Sequence, residues 1–217
     1  MSQKEIIDKL IKCYPALDVC KQDIEAGCQA IFHSYEQGGK VLACGNGGSA
    51  ADADHVVGEL MKSFEKKRVL NAGVREALVS MDSERGSYLA EKLQEGLPAI
   101  SLNAHTALIS AVANDIDASL VFAQQVAGYG KKGDVLVAIT TSGNSQNVID
   151  AALTAKALGL NVIGLTGKTG GKLKQYCDIT ICVPATRTAE VQEYHLPVYH
   201  TICRVAEEML FSENPNK

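Results

Sequence analysis

Several things are missing from this sequence, and each absence narrows the reading. The seven cysteines, Cys13, Cys20, Cys28, Cys44, Cys177, Cys182 and Cys203, include no Cys-x-x-Cys pair. Their number is odd and several lie in apolar runs, where cysteine behaves as a small hydrophobe. A disulfide framework is not expected, and a reduced, cytoplasmic setting fits best. No apolar run approaches the length of a membrane span, and the opening Met1-Ser2-Gln3-Lys4-Glu5 has no signal-peptide core, so no membrane partner is expected. Basic residues are not in excess: 21 Lys and Arg face 25 Asp and Glu, a net charge of −4. That balance, with no basic helix-turn-helix segment, argues against nucleic acid as a partner. Neither a Walker A ending nor a full Gly-x-Gly-x-x-Gly fingerprint is present. No linker or low-complexity stretch divides the chain.

What remains is an ordinary globular composition, 46% hydrophobic and 21% charged over 217 residues, long enough for one domain with a sizeable core. Its centre is the stretch from Val41 to Leu60. Val41-Leu42-Ala43-Cys44 reads as a buried strand. Gly45-Asn46-Gly47-Gly48-Ser49 is too polar and flexible to continue it, and a helix opens at about Ala50. A strand, tight loop and helix N-terminus aim unpaired N–H groups and the positive helix end at one point, which suits a phosphate. His55 and Glu59 are four residues apart and share one helix face. Such a pair is either a surface ion pair or the start of a metal site whose carboxylate can also move protons.

The rest of the chain alternates. Residues 1–38 hold two helices, with an apolar stripe of Ile6, Ile7, Leu10 and Ile11 interrupted by Pro15 and a second from Leu17 to His33. Residues 62–96 form a charged segment read as one or two amphipathic helices, with Leu89, Leu93 and Leu97 at helical spacing. Further strands are expected at Ala99–Leu102, Asp134–Ile139, Asn161–Leu165 and Asp178–Val183. Asn114-Asp115 is expected to cap a helix running to about Val126, and Thr188 to Phe211 to form a long final helix. Continuous apolar strands alternating with helices predict an α/β fold, a doubly wound parallel sheet of about five strands covered on both faces. Ligands in such sheets sit outside the C-terminal strand ends, where the loops after Cys44, Ile139 and Leu165 fall. The hydroxyl-rich loop Thr140–Ser145 is a second phosphate cradle, or Ser145 simply caps the next helix. On the last helix, Gln192 and His200 lie near one face, two turns apart, with His195 on another. With His55 and Glu59 they could form a four-ligand set of a kind that suits zinc. Spacing alone does not single out Gln192.

These residues together resemble one family. Cys44-Gly45-Asn46-Gly47-Gly48-Ser49, His55-x-x-x-Glu59, Ala113-Asn114-Asp115, Thr141-Ser142-Gly143-Asn144-Ser145, Leu165-Thr166-Gly167-Lys168 and Gln192-Glu193-x-His195 are similar to the motifs of the sugar isomerase (SIS) domain family. The resemblance runs from about residue 35 to the C-terminus, with the N-terminal helices also in place. It is strongest to members that isomerise sedoheptulose 7-phosphate to D-glycero-D-manno-heptose 7-phosphate. It implies an aldose–ketose isomerase with one zinc ion per subunit, held by His55, Glu59, Gln192 and His200. It implies substrate contacts from Asn46, Gly47, Gly48, Glu59, Asn114, Asp115, Thr140, Thr141, Ser142, Ser145 and Gln192. Glu59 and His200 become the acid–base pair, in a homotetramer whose sites cross subunit boundaries.

Two departures from the family pattern stand out. The 62–96 segment is longer than its counterpart in typical members. Pro197 falls between Gln192 and His200, where a proline removes an N–H and crowds the preceding turn. Either the helix starts close to Gln192 or it kinks there. The rival readings are a non-catalytic SIS protein that binds a replication initiator and a regulator that senses a sugar phosphate. All four candidate ligands are present, which favours the enzyme. A different six- or seven-carbon ketose phosphate remains an alternative substrate.

Overall fold

Five short apolar runs become five parallel strands in the computed structural model, which describes residues 1–212. They are β1 (Val41–Cys44), β2 (Ala99–Ser101), β3 (Val135–Thr140), β4 (Asn161–Thr166) and β5 (Ile179–Cys182), in the order β2-β1-β3-β4-β5. Register is fixed by pairs such as Leu42 with Ile100 on one side and Leu42 with Leu136 on the other. Successive strand residues point to opposite faces, and the strands are apolar at nearly every position because both faces are covered. Val41, Ala43, Val137, Ile139, Ile163 and Leu165 bury one face against α1 (Gln3–Cys13), α2 (Lys21–Glu36), α3 (Gly48–Met61) and α9 (Thr188–Phe211). Leu42, Cys44, Leu136, Ala138 and Val162 bury the other against α6 (Thr106–Val112), α7 (Val121–Tyr129) and α8 (Gln146–Ala157). Each fully buried aliphatic side chain contributes about 1.5–3 kcal/mol, so the two layers supply most of the fold's stability.

Several expectations need correction. Thr140 is the last residue of β3 and is buried, so it is not part of the loop. Asn114 and Asp115 cap nothing: they lie in a π-helical turn, Ala113–Asp117, that continues α6, and Asp117 is the residue whose side chain accepts a capping N–H, from Ser119. Leu89, Leu93 and Leu97 do not form one stripe, because helix α5 (Ser83–Lys92) ends before Leu93. The stretch Thr106–Tyr129 is, by length and composition, apolar enough to cross a bilayer, contrary to the expectation that none is. Here it is broken into α6, the π turn, a 3-10 turn and α7, and its Val112, Val121, Phe122 and Val126 pack onto the sheet. The region after α3 contains two helices, α4 (Ala72–Met81) and α5, joined as a hairpin whose base is an antiparallel bridge between Val69 and Gln94. Helix α4 buries no residue fully; Leu78 is half-buried, the backbone there packs closely on Gly86 of α5, and Val74, Val79 and Met81 are exposed.

The proline question is answered by α9. The helix begins at Thr188, four residues before Gln192, and its assignment runs unbroken to Phe211 with Pro197 inside it. Pro197 is buried, and its carbonyl accepts a hydrogen bond from the Thr201 hydroxyl at 2.8 Å. Gln192 and His200 therefore share one continuous helix.

Candidate active site

The strand order places the topological switch between β1 and β3, where the connections leave in opposite directions. That divergence opens a crevice at the C-terminal strand ends. The loop after β1 enters α3 at Gly48, and the loop after β3 enters α8 at Gln146, so two helix N-termini flank the crevice. An amide pair clasps the two loops: Asn46 Nδ2 donates to Asn147 Oδ1 at 2.8 Å, and Asn147 Nδ2 donates to Asn46 Oδ1 at 2.9 Å. Ser145 does not cap α8 with its side chain; its hydroxyl instead lies 3.0 Å from that of Thr140. Ser142 accepts the Asn144 N–H and stays exposed. Gly143 has φ +68°, and a β-carbon there would sit 2.1 Å from the Gly170 carbonyl oxygen, so only glycine allows this turn against the loop after β4.

Helices α3 and α9 carry the candidate site side chains. His55 Nε2 is 3.2 Å from Glu59 Oε1 and 3.4 Å from His200 Nε2. The Gln192 amide lies at the other end of the rim, so close to Gly48 that a β-carbon on Gly48 would be 2.3 Å from its Nε2. The structure thus joins His55, Glu59 and His200 directly and sets Gln192 over the β1 loop. Among the described residues, Gln192 makes no hydrogen bond to the other three. Asn114 and Asp115 are exposed and bond each other, Asn114 Nδ2 to Asp115 Oδ1 at 2.7 Å; within the described chain they do not join the rim.

A tetrahedral site with metal–ligand bonds of about 2.0–2.2 Å has ligand–ligand edges of about 3.3–3.6 Å. The two distances at His55 Nε2 are close to such edges. Two nitrogens and a carboxylate are also a donor set that suits zinc. Among the described residues no three His, Cys, Asp or Glu side chains yet stand together in metal-holding geometry. The second carboxylate oxygen of Glu59 is engaged by Lys62 Nζ at 2.8 Å. Burial, then the neighbouring charges of His55 and Arg204, hold the His200 pKa below its ordinary value. A neutral imidazole is the form that ligates a metal or accepts a proton. His195 is fully buried; among the described residues its ring nitrogens have no well-formed hydrogen bond, and burial, opposed by a contact with the Thr166 backbone, pushes its pKa down to about 4.

Sequence reasoning missed the residues that support this rim. Asn103 clamps Gly45, accepting its N–H at 3.2 Å and donating to its carbonyl at 2.8 Å. Arg68, buried beneath the site, donates to the carbonyls of Leu60 and Glu59, 2.6 and 3.2 Å away, and so caps the C-terminal turn of α3. Its Nε donates at 2.7 Å to Glu207 on α9. Glu207 also accepts the N–H groups of Phe64, Glu65 and Lys66. Arg68 lies inside the charged 62–96 segment, and no spacing rule links it to a glutamate 139 residues away.

Comparison with known proteins agrees with this architecture. The profile of the SIS domain matches residues 16–96 and 89–167, and the chain belongs to that family. Within it, the chain falls among the phosphoheptose isomerases, which are enzymes. It is 41% identical over 198 residues to the phosphoheptose isomerase of Thiobacillus denitrificans, covering 90% of this chain and 87% of that one. The structure of phosphoheptose isomerase from Neisseria gonorrhoeae superposes with a TM-score of 0.73 at 32% identity, covering 93% and 94% of the two chains. That from Francisella tularensis gives 0.73 at 31%, covering 96% and 100%.

Proposed function

We propose that this chain interconverts sedoheptulose 7-phosphate and D-glycero-D-manno-heptose 7-phosphate. The observation that carries the reading is the meeting of His55, Glu59 and His200 beside the phosphate-type rim at the switch point. The similarity to named phosphoheptose isomerases supports the same substrate.

The chemistry sets what these side chains must do. Ketose-to-aldose conversion moves one hydrogen from C1 to C2 and one proton from O1 to O2, through an enediol. Glu59 is the carbon base: it takes the C1 proton and returns it to C2. His200, kept neutral, exchanges the oxygen protons on the other side. The loop N–H groups and hydroxyls at Asn46–Gly48, Thr141, Ser142 and Ser145 hold the remote phosphate, with Thr140 bracing Ser145 from the strand end. Anchoring that end fixes the reacting carbons and removes the entropy of a freely tumbling chain. Asn114 and Asp115 belong to the same proposal as sugar contacts, delivered from a second copy of the chain. The assembly in this proposal is a homotetramer with shared sites; a groove at His200 with Ile6, Leu10, Leu196 and Pro197 on its apolar side and Lys9, Glu65 and Arg204 on its charged side supports a subunit contact there. His55, Glu59, Gln192 and His200 would hold one zinc ion. When bound, zinc supplies Lewis-acid polarisation of the substrate carbonyl.

The test is turnover of sedoheptulose 7-phosphate by the purified chain, with product identified by NMR, before and after chelation and zinc repletion. Zinc-restored turnover is expected. A zinc-saturated protein that binds the sugar phosphate without converting it would overturn the reading in favour of a sensor.

A further inference from the structure

The proposed reaction uses neither Asp52 nor Tyr199, yet both are packed against the site. Asp52 lies on α3 one turn before His55. Tyr199, 2% exposed, precedes His200 on α9. The Tyr199 hydroxyl is 3.3 Å from Asp52 Oδ1 and 3.0 Å from His55 Nδ1. The rings of Tyr199 and His55 meet edge-on at 70°, with centroids 5.4 Å apart.

A phenol has one proton to give, so it donates to only one of these neighbours. Asp52 Oδ2 is buried and, among the described residues, has no hydrogen-bond partner. If the phenol donated to His55, Asp52 would lose the donor to its other oxygen as well. A buried acceptor left unpaired costs about 1–3 kcal/mol, more when charged. The phenol therefore donates to Asp52, and its oxygen can then only accept.

We infer that Tyr199, anchored by Asp52, is a positioning residue that sets the tautomer of His55. It accepts the Nδ1–H and leaves the Nε2 lone pair bare toward Glu59 and His200. The inference rests on the reading of His55 as a metal ligand, because a bare Nε2 is what a ligating imidazole must present. The opposite tautomer would place a proton on Nε2, donating to Glu59 and blocking the same position.

The experiment reads the tautomer and the metal separately. Nitrogen-15 NMR of the zinc-free protein, at a pH well above the ordinary histidine range, is expected to show His55 protonated on Nδ1. In Tyr199→Phe the proton should redistribute toward Nε2, and zinc affinity by competition titration should fall about 10–100-fold. Asp52→Ala frees the phenol proton for Nδ1 and should invert the tautomer outright, giving a second test should Tyr199→Phe fold poorly. Asp52→Asn keeps an acceptor and should restore most of the wild-type pattern. An Nε2-protonated His55 in the wild type, or unchanged tautomer and affinity in both Tyr199→Phe and Asp52→Ala, would overturn the inference. A wild-type chain that binds no zinc but keeps the Nδ1 proton would instead overturn the metal reading and leave the tautomer assignment standing.

Discussion

The α3–α9 junction and the α4–α5 hairpin, which follows α3 directly in the chain, are opposites in construction. At the junction, long-range contacts decide everything: Arg68 reaches Glu207, Tyr199 reaches His55, and Val56, Leu60, Val198 and Ile202 fill one core layer. In the hairpin the observed support is local. Asn71 caps α4 by accepting the Gly73 N–H, and Asp82 caps α5 by accepting those of Glu84 and Arg85. Ala90 is buried, but several of the hairpin's larger apolar side chains face solvent, with Met81 86% exposed and Val74, Val79 and Tyr88 also outside. The lesson is that positional accuracy for chemistry comes from the first kind of structure. Side chains held by distant partners and full burial keep one rotamer, whereas a capped hairpin holds only its own shape.

Four perturbations would break or sharpen that contrast. The largest effect is expected from Glu59→Gln, which removes the proposed base while preserving shape. Turnover should drop about 10²–10⁴-fold with an unchanged melting curve; a near-normal rate would remove Glu59 from the mechanism. Next is Arg68→Ala, which strands the Glu207 carboxylate in the interior. Breaking a buried pair on one side costs about 3–5 kcal/mol, to be read from denaturant titration. A loss under about 1 kcal/mol would show that the pair is not what holds α3 to α9.

The third perturbation is acid. His195 is buried neutral with its pKa depressed to about 4, against about 6.5 in the unfolded chain. Its folded-state pKa is the lower one, so full stability holds above about pH 6.5. Below that the unfolded state takes up a proton that the folded state refuses. Stability should then fall by on the order of 3 kcal/mol as the pH drops from about 6.5 to about 4. His195→Asn should flatten that slope, and an unchanged slope would relocate the acid sensitivity. The smallest effect belongs to the hairpin. Replacing residues 70–93 with a short glycine linker should change stability by less than about 1 kcal/mol. A larger loss would mean that the hairpin is braced by something else.

Much of this organisation is legible in the sequence. Apolar runs mark all five strands because a parallel sheet covered on both faces needs them uninterrupted. The glycine-rich turn after Cys44 marks the crevice, and the four-residue spacing of His55 and Glu59 places them on one face. What is not legible arises where distant residues meet. Asn103 is one asparagine among many until it is seen gripping Gly45. Tyr199 in an apolar stretch reads as core, and nothing in one dimension shows its hydroxyl between Asp52 and His55. Pro197 misleads in the other direction, since local propensity argues for a break and tertiary packing keeps the helix whole.

The bridge between Val69 and Gln94 carries one more implication. It returns the polypeptide to the spot from which it departed, and the Glu95 N–H donating to the Arg68 carbonyl seals the seam. Whatever lies beyond that seam is insulated from strand register. Shortening or rewriting the outlying helices is therefore expected to leave the pairing of all five strands unchanged.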